Sequence, residues 1–508
     1  MSAVVGTPPT AARRELARGG ALSFFGAATS AALGLVVIVV LGRMLGDAGA
    51  GVVLQTIAVF TIALGVARFG MDSTVLWILP RLSDDLPSQV RRTAWSLVAV
   101  SGIVGVLCAA VLIVGTSIID AYTGGDPVAA AVRATAPFLP AAAMLLTGLA
   151  ATRALGRVTA YVWVGNIALP AMRPVAIIAV VGLGAGLTGA AIAWAFPFVL
   201  ALFLAYSVLA AITRRYGPGE VLIFRRERIM QRSLRYALPR VASASLEQLL
   251  IWSSVLGVGV IAGAAAAGVY GAASRFIAAG MIVDAALRVV VSPMFSRLQN
   301  RGDQTELVEL YRTATVWLVL FSTPVFLLLA VFAPVALSVV GPAFTAGEGV
   351  LAIMCAGALA TLFAGNVHSV LLMSGRSGLA ALNKLIVVIV TLALIVALTP
   401  AWGIVGAAIA WTVGSLLDAA LAVIEVRLLL KLRISLLPGL YPFVVGAVCV
   451  GVPALLVRMV MGPTWSGLGI AAAIGFCCFA VWCRVESGRL HLHDFAFRLR
   501  ERSSDDRP

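Results

Sequence analysis

Charge is what this chain of 508 residues has least of: Asp, Glu, Lys and Arg together make up 12% of it, against 61% hydrophobic residues. Soluble domains carry about a quarter charged residues, so a water-soluble globule is excluded, and the mean hydropathy of +1.04 agrees. Strand-length segments of alternating polarity are missing too. That rules out a transmembrane β-barrel and leaves helices, which satisfy their own backbone in lipid. Cysteine is sparse and unpatterned: Cys108, Cys355, Cys449, Cys477, Cys478 and Cys483 lie in or beside apolar runs. They lack the spacing of a zinc site or a disulfide framework and read as small core residues. His491 and His493 stand together near the C-terminus with no further ligand beside them, so no metal site is expected. The N-terminal apolar run is too long for a signal peptide and lacks an A-x-A site, so Arg13-Arg14 reads as a cytoplasmic anchor.

What the chain has is apolar length. A helix rises 1.5 Å per residue, so about 20 apolar residues cross roughly 30 Å of hydrocarbon. Fourteen such stretches are expected, at 19–41, 52–79, 94–118, 134–154, 161–184, 188–212, 238–261, 268–295, 313–339, 348–373, 379–399, 403–428, 440–460 and 464–483. Lys and Arg accumulate in loops retained in the cytoplasm. With the N-terminus inside, the inner segments collect Arg13, Arg14, Arg18, Arg81, Arg91, Arg92, Arg153 and Arg157, then seven arginines from Arg214 to Arg235. Arg297, Arg301, Arg312, Arg376, Lys384, Arg427, Lys431, Arg433 and six arginines from Arg484 onward bring the inner total to about 29. Only Arg43, Arg133 and Arg458 fall outside. The bias predicts a multi-pass protein of the bacterial inner membrane with both termini cytoplasmic. The net charge of +15 then meets anionic headgroups along one face, and no nucleic-acid partner is expected.

The chain also repeats itself. Residues 186–194, GLTGAAIAW, recur as GIVGAAIAW at 403–411, an offset of 217. GDAGAGVV from Gly46 answers to GAAAAGVY from Gly263 at the same offset, and the turns Gly156-Arg157 and Gly375-Arg376 are 219 apart. Three landmarks at nearly one offset predict two homologous six-span halves of the same orientation, related by a pseudo-two-fold along the membrane normal. The expected plan is a tail at 1–18, a six-helix bundle at 19–212 and a cytoplasmic interfacial linker at 213–237. A second bundle follows at 238–429, then an additional helix pair at 430–484 and a tail at 485–508. In the linker Arg225, Arg228, Arg232 and Arg235 recur at helical spacing. The fold class is all-α integral membrane, with about 14 transmembrane helices.

A charge at membrane depth is costly unless it faces a cavity or a partner. Five basic residues remain once the loops are counted: Arg68, Arg173, Arg240, Arg275 and Arg288. Arg68 and Asp72, and Asp284 and Arg288, stand four apart and predict two ion pairs, each on one helical face. Arg173, Arg240 and Arg275 have no acid at three or four residues' distance. A phosphate would answer them, since guanidinium makes parallel hydrogen bonds to its oxygens and stays ionised. Asp72, Glu247, Asp284 and Asp418 are candidate coupling carboxylates. Pro170, Pro174 and Pro197, with Gly182, Gly184 and Gly186, should break helices five and six and the turn between them.

The segment Leu41-Gly-Arg-Met-Leu-Gly-Asp-Ala-Gly-Ala-Gly51 resembles the "LarxLGpxxyG" turn of polysaccharide-biosynthesis flippases, and Ala67-Arg-Phe-Gly-Met-Asp72 resembles their "lGl" stretch. The chain departs from the pattern at Ala50, where tyrosine is expected, and Gly268-Val-Tyr270 in the second half is closer. These proteins belong to the multidrug/oligosaccharidyl-lipid/polysaccharide exporter superfamily. The resemblance implies two six-helix bundles forming a V around a cationic cavity. It also implies transfer of an undecaprenyl-diphosphate-linked saccharide from the cytoplasmic to the outer leaflet, for cell-surface polysaccharide assembly. Arg68, Arg173 and Arg275 would hold the diphosphate, with Arg240 and Arg288 as further candidates. No cofactor is implied beyond Na+ or H+ as a coupling ion. The implied partners are membrane lipids, the lipid-linked saccharide, a polysaccharide polymerase and glycosyltransferases.

Two rivals differ in what they would need. A cation-coupled multidrug exporter of the same fold would have an anionic cavity and twelve spans. A membrane polymerase or ligase would place catalytic groups on a long external loop. Here the longest external connection, around 119–133, carries only Asp120, Asp126 and Arg133, with no nucleophile–base constellation.

Overall fold

The computed structural model describes residues 10–216, 223–301, 303–373, 377–432, 434–435 and 437–486. The Gly375-Arg376 turn, Arg433, His491, His493, residues 1–9 and 487–508 of the expected tails and residues 217–222 of the expected linker lie outside the described residues. Among the described residues every regular element is helical, and the chain is a multi-pass membrane protein with eleven candidate spans.

Three of those spans are too long for one crossing. They cover Leu22–Asp85, Ile229–Gly280 and Ala381–Leu429, with 64, 52 and 49 residues, more than twice the length that roughly 30 Å of hydrocarbon takes up. Each leaves the helix at an internal glycine, Gly46 at φ +71°, Gly263 at +88° and Gly403 at +56°, and the first breaks a second time at Phe69 and Gly70. These three glycines fall at or beside the junctions of spans expected from the sequence. A left-handed backbone is open to glycine at no steric cost and strains most other residues.

The repeat is visible in these turns. Gly46 and Gly263 are partners at the offset of 217, and Gly403 has its own partner in Gly186, at φ +63°. The segments around the first two glycines also touch reciprocally: a methyl on Gly51 would overlap the carbonyl oxygen of Ala264, and one on Gly268 would overlap that of Asp47. Because Ala264 and Gly268 are the repeat partners of Asp47 and Gly51, the contact is self-complementary in the way a two-fold relation demands. Small residues permit this approach of backbone to backbone, the usual means of packing helices where lipid removes any hydrophobic drive.

Contacts divide the chain into two compact units, 1–271 and 272–508. In the first, Met71, Val75, Leu79, Val90, Leu97, Leu209 and Ala237 share a core. Its helix Pro87–Thr123 exposes an apolar stripe of Ile103, Leu107, Val111, Val114 and Ile118, spaced at three to four residues as one helical face requires. Its other face carries Gly102 and Gly105, set tightly against Met144 and Pro140. The connection around 119–133 is ordered by its few charges: Asp126 caps the helix Pro127–Thr135 through Val128 N, and Arg133 pairs with Asp120.

The expected breaks near Pro170 take a definite form. A π-helical stretch, Tyr161–Ala168, precedes Pro170, and another, Ala447–Gly451, precedes Pro453. A proline supplies no N–H to the turn before it, and the wider register absorbs the missing bond. After Gly182 the chain turns at Gly184 and Gly186, both at positive φ.

In the second unit Phe295, Leu307, Tyr311, Val367, Val370 and Val426 form the core, and Tyr311 donates to the Ala364 carbonyl at 2.7 Å. The final helix pair packs Ala454 and Ala471 against Val331 and Phe332. Arg458 fastens it by donating to the Val331 carbonyl and by pairing with Glu348 at 3.5 Å.

Two expectations about continuity are corrected. Span two is not one helix: it ends at Ala67 and restarts at Met71, with Phe69 at φ +48° and Gly70 at +63° between. The linker, in turn, is not a separate element, because the helix Ile223–Gly280 carries its last part unbroken into span seven as far as Gly263.

Candidate functional sites

The first site lies where the break after Ala67 meets the long helix Ile223–Gly280. The Arg68–Asp72 pair forms, at 2.9 Å, but across the left-handed turn rather than along one helical face. The turn is possible because Gly70 lies close to the other helix: a methyl there would stand 2.7 Å from the Ala237 oxygen and 3.0 Å from Arg240 Cβ. Just beyond, Trp77 and Tyr236 stack at 4.6 Å with their planes 7° apart. Three guanidinium groups gather on this pair, Arg81 and Arg232 over Trp77 at 4.8 and 5.1 Å and Arg240 over Tyr236 at 5.5 Å. Arg81, Arg232 and Arg240 are exposed and face no carboxylate among the described residues. Cation–π contact orients each one without neutralising it. The arrangement can take a multiply charged anion, with the rings as a platform and the guanidinium N–H groups as donors.

Arg173 has a different setting. It is half-buried on the helix Leu169–Gly182, over the rings of Trp194 at 4.4 Å and Phe198 at 4.8 Å. Phe60 closes the aromatic cluster, 5.4 Å from Trp194 and 5.6 Å from Phe198. The Nε of Arg173 is buried and has no hydrogen-bond partner among the described residues. Glu247 is exposed, on the helix Ile223–Gly280, with no partner among the described residues. A groove of about 510 Å³ runs between Arg157 and Arg215, walled by Trp163, Val164, Val208 and Ile212 and lined by no carboxylate.

In the second unit, Arg275 is half-buried and engaged by a neighbour within the protein. Asp284 is buried and pairs with the exposed Arg288 on one helix, Ile282–Arg301, as the spacing predicts. Asp418 is buried too, and its partners come from far along the chain: Lys384 at 2.5 Å and His368 at 3.4 Å. Lys384 is therefore corrected from an inner-loop residue to one standing on the helix Ser377–Leu429 and neutralising a buried acid. Beside it Asn383 donates to Glu425 at 2.8 Å.

Sequence reasoning missed His368, Trp77 and Tyr236. The two rings could have been found as aromatics three to four residues from arginines on predicted helices. His368 could not, because its partners are 16 and 50 positions away and no local spacing marks them. The candidate residues accordingly fall into separate groups. Arg68, Asp72 and Arg240 are together, Arg173 sits with aromatics, and Asp284, Arg288 and Asp418 lie in the second unit.

Comparison with known proteins gives the family and the fold. The sequence profile of the family described as polysaccharide biosynthesis protein matches residues 16–299. No curated protein sequence matches the chain. Among solved structures, the lipid II flippase MurJ in an inward closed conformation is similar at a TM-score of 0.66 and 13% identity, covering 93% of this chain and 99% of that one. An inward-facing multidrug resistance MATE family transporter of the MOP superfamily matches at 0.63 and 15%, covering 80% and 96%. A mutant of the Vibrio cholerae MATE transporter VcmN matches at 0.59 and 18%, covering 83% and 98%. These similar structures are transporters and a flippase rather than enzymes.

Proposed function

Since the chain belongs to the polysaccharide biosynthesis protein family, we propose that it flips an undecaprenyl-diphosphate-linked saccharide from the cytoplasmic to the outer leaflet by alternating access. The observation that carries this reading is the Trp77–Tyr236 stack with Arg81, Arg232 and Arg240 around it. A diphosphate supplies the charge those guanidinium groups lack, and the aromatic platform tolerates the sugar or isoprenoid beside it. The sequence assigns this junction to the inner face, where such a substrate is made. The groove at Arg157 and Arg215 has the mixed lining that a phosphate head on an apolar chain requires. Arg68 and Arg173 are further candidates for the headgroup within the first unit. Polysaccharide polymerase and glycosyltransferases are the partners that make and consume the substrate.

The test is surface display of the saccharide in cells carrying Arg81→Ala, Arg232→Ala and Arg240→Ala singly and together. Each charge-assisted bond contributes about 1.5–3 kcal/mol. The triple variant should therefore lose display while its membrane level and thermal stability stay near normal. Normal display in the triple variant would remove the proposed site. A second reading, export of organic cations, draws on the exposed Glu247, which has no partner among the described residues. It requires that Glu247→Gln raise sensitivity to cationic drugs and leave saccharide display intact.

A further inference from the structure

Three titratable side chains meet at one carboxylate oxygen in the second unit. Asp418 Oδ2 accepts from Lys384 Nζ at 2.5 Å and lies 3.4 Å from His368 Nε2. Asp418 is 9% exposed, and its Oδ1 is buried without a hydrogen-bond partner. The packed neighbours add one more ion pair, Asp284 with Arg288, from the helix Ile282–Arg301. That helix is tied to the His368 helix, Val367–Met373, by Ser292 and Ser369 at 3.2 Å. Asp284, Arg288, Lys384 and Asp418 are the charged groups that act on His368.

These four charges cancel in pairs, so the cluster is neutral when His368 is neutral, and His368 is the group left to change. A static ion pair in lipid needs no third titratable member. A hard-cation site is a poor fit as well. Such ions take six or more oxygen ligands, whereas Asp418 here faces an ammonium and an imidazole nitrogen. Among the described residues no three His, Cys, Asp or Glu side chains are grouped to hold a metal.

We propose that His368 and Asp418 form a proton-binding site that couples proton movement to the transport cycle, with Lys384 as the internal cation that competes for Asp418. It rests on the reading of the chain as an alternating-access transporter. In this scheme the neutral imidazole holds its hydrogen on Nε2, 3.4 Å from the carboxylate, and the exchangeable proton passes from hydronium to Nδ1: an O–H bond breaks, one N–H bond forms and the imidazole gains one positive charge. The Nε2–H bond to Asp418 becomes charge-assisted and draws the carboxylate from Lys384. Loss of the same proton from Nδ1 to water restores the Asp418–Lys384 pair. His368 is thereby the switch, and Lys384 the group released to change partners.

The experiment uses the full chain with His491→Gln and His493→Gln, which leaves His368 as the only histidine. The protein, labelled with 15N-histidine and purified without a histidine tag, is placed in lipid nanodiscs and titrated by NMR from about pH 5 to 9. We expect one imidazole titration. Its midpoint should move about tenfold in proton concentration, in opposite senses, in Asp418→Asn and Lys384→Met. A resonance that does not titrate in the parent chain overturns the proposal, even if neither variant folds. So does a midpoint that both folded variants leave unchanged. A resonance that responds to exchange of sodium for potassium and not to pH would assign a metal cation instead. The flippase reading is judged separately, by surface display on depletion of the protein, and would survive a failure here.

Discussion

At the offset of 217 Gly186 and Gly403 make the same left-handed turn, and Trp194 answers to Trp411. Yet Arg173, held over Trp194 and Phe198, answers to Val390, and Asp418, bonded to Lys384, answers to Ala201. His368 and Lys384 fare likewise. Offsets of 217 or 219 pair them with Ala151 or Leu149, and with Ile167 or Gly165. The halves therefore keep the backbone features that shape a bundle and differ in the charges set into it. The first holds Arg173 over Trp194 and Phe198 and Arg81 over Trp77, guanidinium groups oriented by aromatic rings, which suits an anion. The second has acids paired with titratable bases, which suits a proton. A duplicated fold divides its labour in this way when turns and close contacts are fixed by sterics while lining side chains stay free to diverge.

Exchanging residues between the halves tests that division. The largest effect is expected from Asp418→Ala, which gives the second half the first half's residue. It leaves Lys384 without its acid and should cost about 3–5 kcal/mol of stability, read as a lowered midpoint of thermal unfolding in detergent. Lys384→Met together with Asp418→Ala should recover most of that loss, because an unpaired charge and not a missing contact is its source. Next come Gly51→Ala and Gly268→Ala. Each forces a methyl against a carbonyl oxygen of the partner segment and should cost about 1–3 kcal/mol. Since the contact is reciprocal, the two should match to within about 0.5 kcal/mol. A large asymmetry would break the two-fold reading.

Arg173→Val makes the converse exchange. Loss of the stacking on Trp194 and Phe198 should cost about 2 kcal/mol, and Arg173→Lys, which keeps the charge without the planar stack, should recover only part of it. The smallest effect belongs to Arg133→Ala. It breaks the surface pair with Asp120 in the connection around 119–133 and should change stability by about 0–1 kcal/mol and leave saccharide display untouched.

Much of this was legible in the sequence, and the boundary of legibility has a physical cause. Hydropathy reports whether a segment prefers lipid, and the repeat reports which turns return, so the long helices and the glycines at 46, 263 and 403 could be expected. Ion pairs within one helix turn, such as Asp284 and Arg288, follow from spacing. Arg68 and Asp72 show the limit, because the same spacing persists across a turn at Phe69 and Gly70 that hydropathy does not register. Long-range partners were not legible at all. Lys384 reads as a loop lysine until the fold brings it to Asp418, and His368 carries no local signal. The same holds for Arg173, whose neighbours are rings rather than the acid that a search for ion pairs looks for.

The most direct test of the central claim is depletion of the protein followed by sorting of lipid-linked saccharides by leaflet. The flippase account requires a complete undecaprenyl-diphosphate-linked saccharide to accumulate on the cytoplasmic leaflet while its surface polymer declines. Accumulation of an unpolymerised saccharide on the outer leaflet, or an unchanged distribution, would contradict it.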